Sequence, residues 1–353
     1  MFIAGFDNIA RYDTAGNPIW TIGFTHFIAS AICTDNAGHC YVIGNFADTV
    51  AFGTYTLIAH GSNDIFVAEY DTSGTCIWAQ RAGGYVIGGS HVDFGNAIAV
   101  DTNGNIFTTG QFVDTADFGP FIFPNSSLET NGFVAKYDPN GNVIWAREIG
   151  GGSDQEGRSI ALDDQGNVLV GGSYVPPALF GNYILSGWGN YDAFIAKYDS
   201  NGNFLNVINA GGPIWDEFVY GLTADPLGNV FATGAFSNIA YFGNDTMTAA
   251  GNYDLFVSKI DLSVGTGESE EHIENAVSIF PNPSSAVATI QVSGRREQRE
   301  FILSDCSGRE IWRSQTDDNR VEISTSDLSS GIYFYNVVDQ EHNVSSGKFV
   351  VVK

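Results

Sequence analysis

Polar and apolar positions in the first 261 residues fall into short runs that return along the chain. The block Asp101-Thr-Asn-Gly104-Asn105-Ile-Phe-Thr-Thr-Gly110 comes back as Asp163-Asp-Gln-Gly166-Asn167-Val-Leu-Val-Gly-Gly172. It comes back again as Asp225-Pro-Leu-Gly228-Asn229-Val-Phe-Ala-Thr-Gly234, and a worn copy is Asp35-Asn-Ala-Gly38-His39-Cys-Tyr-Val-Ile-Gly44. The leading aspartates lie 66, 62 and 62 residues apart. Phe-Gly follows in each copy, at Phe52, Phe118, Phe180 and Phe242. Then comes a run such as Phe133-Val-Ala-Lys-Tyr, whose period-two alternation predicts a strand. A further run carries Trp78 or Trp145, with Asn206 in that slot of the third unit, and Gly-Gly closes the unit at 83–84, 150–151 and 211–212.

Each unit therefore predicts four antiparallel strands. In the second unit they start from Ala97–Val100 and Ile106–Gly110. Four such strands in about 62 residues, repeated, are the signature of a β-propeller blade. One sheet of this kind cannot bury both faces alone, so neighbouring blades must do it. The expected fold is all-β, a propeller of about five (four to five) four-stranded blades over residues 1–261, the first blade incomplete. Strand alternation places the uniform Asp-x-x-Gly turns on one rim. The variable connections, such as Val113–Asn131 and Gly211–Phe218, then share the other, and variable loops on a fixed scaffold are where binding resides.

The repeat stops near Leu262. Residues 262–275 are rich in Gly, Ser and Glu and read as a linker. Residues 276–353 predict seven short strands in a small Ig-like β-sandwich, from Val277–Phe280 to Gly347–Val352. Charge marks the same break. The repeat holds 7 basic and 26 acidic residues, net −19, the linker four Glu, net −4, and the tail 8 basic and 10 acidic, net −2, summing to −25. A chain this acidic lacks the basic footprint that nucleic acid requires and is not drawn to an anionic membrane surface. Gly is 42 of 353 residues and aromatics make 13% of them, which suits strands and tight turns better than helices. No run is apolar enough for a spanning helix. No basic n-region precedes an apolar core at Met1, which together with the half blade there predicts a truncated start.

The Asp-x-x-Gly-Asn, Phe-Gly and Phe-Val-Ala-Lys-Tyr-Asp motifs resemble the secreted bacterial β-propeller repeat known as SBBP, over about residues 1–261. The tail resembles the C-terminal sorting domain of type IX secretion cargo. The residues that carry this second likeness are Pro281, Asn282, Pro283, Asp305, Gly308, Gly331, Tyr333, Lys348 and Lys353, within Ile279-Phe-Pro-Asn-Pro283, Leu303-Ser-Asp305, Gly308-Arg309, Asp327-Leu-Ser-Ser-Gly331-Ile-Tyr333 and the closing Lys348–Lys353. The resemblance implies export through the periplasm, the type IX translocon and sorting machinery as partners, and surface attachment or release.

Candidate chemistry is sparse. Asp93, Asp154, Glu156, Asp216 and Glu217 recur where one blade hands over to the next. They predict either loop caps or a convergent acidic ring for a cation, a basic partner or a sugar. Trp188 and Trp215 fall outside the repeated aromatic slots, in loops of the variable rim, where exposed Trp anchors interfaces. The Asp-x-x-Gly turns lack the bidentate acid of a calcium loop, so no cofactor is expected, with calcium the one ion left open. No zinc motif, Gly-x-Ser-x-Gly elbow or phosphate loop occurs. Cys33 and Cys40 face each other across a predicted hairpin, as a disulfide or as two buried thiols, and Cys76 and Cys306 read as unpaired. These observations favour an exported binding or adhesion scaffold without enzymatic activity that presents variable loops to a glycan or protein. The alternative is a secreted polysaccharide-active hydrolase or lyase using the acidic rim.

Overall fold

The computed structural model describes the chain except for residues 85–92, 125–128, 152, 214, 226–227, 243–244, 261, 263–276, 281–283, 293–297, 306–308 and 339–343. Every regular element in the described residues is a strand. The chain forms two compact units, Met1–Val264 and Gly265–Lys353.

Three complete blades occupy the first unit. Blade I takes the second half of the long strand Pro18–Thr34, then Cys40–Phe46, Asp64–Tyr70 and Cys76–Gly84. Blade II is Phe94–Val100, Ile106–Val113, Thr130–Tyr137 and Val143–Gly151. Blade III is Gln155–Leu162, Val168–Tyr174, Asp192–Tyr198 and Phe204–Gly211. A further sheet supplies Phe218–Ala224, Val230–Phe236 and Asp254–Ile260. At the other end Phe2–Tyr12 pairs with the first half of Pro18–Thr34, so that one strand serves two sheets.

The cores lie between sheets. Ile65 and Val67 of blade I pack with Ile98, Phe133 and Ala135 of blade II. Phe107 and Val134 of blade II pack with Ile160 and Phe194 of blade III, and Leu169 and Ile195 of blade III pack with Val219 and Ala232 of the last sheet. Each core is closed only by the next repeat, which is why a single repeat has no independent stability.

Two repeated residues explain much of the register. The first strand of each blade bulges, as between Gly95 and Ala97 and between Gly157 and Ser159. The bulge pushes a carbonyl against the second strand, where a Cβ at Gly110 would overlap the Phe94 oxygen and one at Gly172 the Glu156 oxygen. Glycine at this slot is therefore a backbone requirement. The Asp-x-x-Gly turns are closed by the aspartate. Oδ1 of Asp138 accepts the N–H groups of Asn140 and Asn142, and Oδ2 accepts Asn142 Nδ2 at 2.8 Å. The turn glycine, Gly141 or Gly202, has φ near +80° and seats the indole of the preceding blade, Trp78 or Trp145. Trp78 Nε1 then donates to Pro139 O, and Trp145 Nε1 to Ser200 O. The strand-four tryptophans are thus clasps between blades.

The structure differs from the sequence expectation in two ways. Phe118, Phe180 and Phe242 each end the first arm of a short hairpin, such as Ala116–Phe118 with Phe121–Phe123, that hydrogen-bonds to the fourth strand of the preceding blade, whereas Thr49–Phe52 and Tyr55–Ile58 form a two-stranded sheet of their own. Blades II and III consequently belong to six-stranded sheets. Gly150 and Gly151 end the fourth strand of blade II, as expected, and pair there with Leu179 and Ala178 of the hairpin. Cys33 lies opposite Tyr41 while Cys40 lies opposite Thr34, which puts the two thiols on opposite faces by strand alternation. Both are free, and burial pushes each thiol up to about 12.

The second unit is a sandwich of a three-stranded and a four-stranded sheet around Ile290, Phe301, Leu303, Tyr335 and Phe349. Its strands fall within a few residues of those the sequence predicts.

Candidate functional site at the variable rim

The acids at the blade handovers occupy three different slots. Asp93, Gln155 and Glu217 are equivalent, each eight residues before a turn aspartate, and all three are buried. Asp93 accepts Gly84 N–H at 2.8 Å and Val113 N–H at 2.9 Å. Glu217 accepts Gly212 N–H at 3.0 Å. They close the end of the preceding blade's fourth strand.

Asp154 and Asp216 share the second slot and span two blades. Asp154 accepts Thr130 N–H from blade II and Tyr191 O–H from blade III, the latter at 2.8 Å. Asp216 accepts Asn190 Nδ2 from blade III at 2.9 Å and Tyr253 O–H from the last sheet at 3.1 Å. Glu156 pairs with Arg158 at 2.5 Å and accepts Asn96 Nδ2 from blade II. Arg158 in turn lies over the rings of Phe218 and Tyr220. The five acids are brought to one rim but are engaged by the scaffold, as caps or as clamps.

A further position, on the third strand of each blade, is solved three ways. Asp64 binds Arg81 at 2.9 Å in blade I. The equivalent pair in blade II is reversed in polarity, with Asn131 Nδ2 donating to Glu148 at 2.5 Å. In blade III the corresponding residues are Asp192 and Asn209, and the Asn209 amide bonds instead to the Tyr174 hydroxyl and Ser186 O. Asp192 Oδ2 accepts Trp188 N–H at 2.6 Å, while among the described residues Asp192 Oδ1 and Glu217 Oε1 are buried with no hydrogen-bond partner.

Burial pushes Asp192 up to about 7 and Glu217 up to about 8, backbone bonds from Trp188 and Gly212 offset this only in part, and Asp192 adds repulsion at Glu217. Burial pushes Asp93 up to about 6. The turn aspartates move the other way. The Asn17 side chain holds Asp13 below its ordinary value, the Ser73 hydroxyl does so for Asp71, and at Asp138 burial pushes upward but the Asn142 bonds outweigh it. The two groups give opposite pH limbs. Stability from the turn carboxylates is present above about pH 4 and lost as pH falls through their folded values. Stability from the buried acids is full below about pH 4 and lost as pH rises through about 6 to 8. Thermal melts should therefore peak in mildly acidic buffer, and Glu217→Gln should flatten the alkaline limb. An alkaline limb unchanged in that variant would contradict the assignment.

Trp188 is 46% exposed and Trp215 is 55% exposed. Trp188 meets Tyr241 edge-on at 6.1 Å, and the Asn190–Asp216 bond ties the two tryptophan loops together. Tyr220 and Tyr253 are also about half exposed. These tyrosines were not singled out in the sequence; their place next to the handover acids is the signal that marks them. Elsewhere, a cleft of about 530 Å³ opens beside Phe123, Glu148, Leu179 and Phe204.

In the second unit Asp305 accepts Arg309 N–H and Nε–H. Tyr333 O–H donates to Ser329 O at 2.9 Å, and Gly331 pairs with Val351. Lys348 lies in the strand Val344–Val351. Lys353 Nζ donates to Ser326 O at 2.7 Å, so the chain end folds back on the loop before Gly331. Pro281, Asn282, Pro283 and Gly308 lie outside the described residues. Among the described residues no three His, Cys, Asp or Glu side chains converge as a metal site would require, and no helix is long and apolar enough to cross a membrane.

Residues 77–111 and 144–173 match the β-propeller repeat SBBP, and residues 278–353 match the secretion system C-terminal sorting domain. The chain carries SBBP propeller repeats and a type IX sorting domain. An uncharacterized WD repeat-containing protein L264 of Acanthamoeba polyphaga mimivirus is 29% identical over 179 residues, which is 47% of this chain but 12% of that protein's length. Among solved structures, the Dos1 propeller aligns with a TM-score of 0.38 at 8% identity, covering 100% of this chain and 78% of that one. PorZ, described as an essential bacterial surface component of the type-IX secretion system of Porphyromonas gingivalis, aligns with a TM-score of 0.32 at 13% identity, covering 100% of this chain and 50% of that one. A sorting domain of this kind implies involvement with type IX secretion machinery.

Proposed function

We propose that the chain is an exported binding or adhesion scaffold without enzymatic activity, whose SBBP repeats present the variable rim to a glycan or protein ligand. Its tail delivers it through type IX secretion, after passage of the periplasm, to the surface or the medium. The observation that supports this reading is the pair of half-exposed indoles, Trp188 and Trp215, on adjoining blades. Flat aromatic surface at low entropic cost is what interface anchors supply. A hydrolase or lyase would instead need carboxyls free to reach a substrate. Asp93 and Glu217 are buried against backbone N–H groups, and Asp154, Glu156 and Asp216 hold blades together.

The test is retention of the purified chain on immobilised glycans and extracellular-matrix proteins. A Trp188→Ala, Trp215→Ala double variant should lose at least about tenfold in retention, the scale of one or two anchor residues. Its melting temperature should stay close to that of the parent, because both rings are half exposed. Retention unchanged in the double variant contradicts the reading.

A further inference from the structure

Charge in the propeller unit is spent inside the protein. Residues 1–261 hold seven Lys and Arg side chains. Arg81 lies between Asp64 and Asp117, and Arg158 pairs with Glu156. Arg11, Lys136, Arg147 and Lys197 bond into the Asp-x-x-Gly turns of the other rim, at Thr72, Ser200, Gly202 and Asp163. Lys259 stands in the strand slot of Lys136 and Lys197, beside that same rim. A polyanion therefore meets no Lys or Arg held out to it next to Trp188 and Trp215.

The carboxyls beside the two indoles are engaged as well. Asp192 is buried and accepts Trp188 N–H at 2.6 Å. Asp216 uses both oxygens, one for Asn190 Nδ2 and one for Tyr253 O–H. Glu217 is buried and accepts Gly212 N–H, and Asp254 accepts Ala250 N–H at 2.8 Å. A cationic side chain thus finds no carboxylate presented to it there. What stands out from the two loops is ring surface, and it is held in place. Tyr241 supports Trp188 edge-on at 6.1 Å. Next to Trp215, Asp216 N–H donates to Ser237 Oγ at 3.0 Å, and that hydroxyl donates to Asp216 O at 3.1 Å. Rings fixed beforehand lose little entropy when a ligand arrives.

We propose that the ligand of the Trp188–Trp215 platform is a neutral glycan, held by sugar rings stacking on the indoles and not by charge. The inference rests on the rim-binding reading and narrows it to one class of ligand. An aromatic face is the negative side of the ring quadrupole, and the C–H bonds of a sugar face turn weakly positive hydrogens toward it. Size points the same way. The half-exposed rings of Trp188, Trp215, Tyr220 and Tyr253 offer about 400 Å² together. A stable protein interface needs about 800 Å² from each partner. A few sugar rings fit the smaller area.

The test is retention of the 353-residue chain on beads carrying a neutral glucan, mannan or galactan, on alginate beads, and on beads carrying collagen or polylysine. Retention is expected on a neutral glycan, changing by less than about twofold between roughly 0.05 and 0.5 M salt, because no ion pair is there to screen. Trp188→Ala should lower it about tenfold, and Trp188→Phe should restore part of the loss by keeping a ring. Retention on alginate alone, or on the collagen or polylysine beads alone, overturns the proposal. So does neutral-glycan retention that falls more than about tenfold over that salt range. If the retention seen in those cases still disappears in the Trp188→Ala, Trp215→Ala variant, the rim reading stands and only the ligand class is wrong. Neutral-glycan retention that is unchanged in the double variant overturns both, and a chain retained on none of the beads overturns the proposal.

Discussion

A secreted form that ends at residue 275 is expected to stay in the periplasm as a folded propeller unit. The two units have separate cores, with Phe301, Leu303, Tyr335 and Phe349 on the tail side and the inter-blade clusters on the other. Removing the tail therefore takes away the sorting domain without opening the propeller. The effect should be close to complete loss from surface and medium, read by fractionation and immunodetection against the full-length chain carried by the same export signal. Protease resistance of the trapped protein would show that the blades remain folded. Display of the truncated form at ordinary levels would contradict a delivery role for residues 276–353.

Trp145→Ala is expected to produce the largest loss of stability of any single change in the propeller unit. The indole is 4% exposed and packs in the core shared by blades II and III. It also donates to Ser200 O at 3.1 Å and lies against the turn glycine Gly202. Truncating a buried Trp costs about 3–5 kcal/mol, which at roughly 2–4 °C per kcal/mol for a unit of this size lowers the melt by about 6–20 °C. Gly202→Ala attacks the same clasp from the other side, through a φ of +78° and a Cβ that would press on the indole. The double variant should lose less than the sum of the two, since the clasp can be broken only once. Strict additivity would mean that the two residues do not act together.

The blades were legible because the repeat is carried by residues with fixed backbone duties. Asp and Gly set the three–four and one–two turns, and Gly110 and its counterparts accommodate the bulge. The tail was legible because seven alternating runs fall between turn signals. The Phe-Gly hairpin was missed as a pair of strands because its arms, such as Ala116–Phe118, are only three residues long. So short a run carries no periodicity to read. The sequence placed the five rim acids together on one rim but not their partners. Asp154 and Asp216 reach Tyr191 and Tyr253, 37 residues away in each case. Nothing local announces such a contact, although the identical spacing in two repeats could have. Burial of Asp93 and Glu217 was equally hidden, since a carboxylate before a strand reads as solvated until the fold turns it inward.

The central claim is that the handover acids serve the scaffold and carry no chemistry, while the indoles face the ligand. A Glu156→Gln, Glu217→Gln variant separates acid chemistry from structure, because it keeps the size of both side chains and Glu217 is already pushed up to about 8. Retention on immobilised glycans and matrix proteins, polysaccharide turnover and the melt are followed together on the variant and the parent. The account predicts retention as in the parent, no polysaccharide turnover by either protein, and a melt within a few degrees at neutral pH. Glycan-degrading turnover present in the parent and abolished in a variant that melts normally would contradict it.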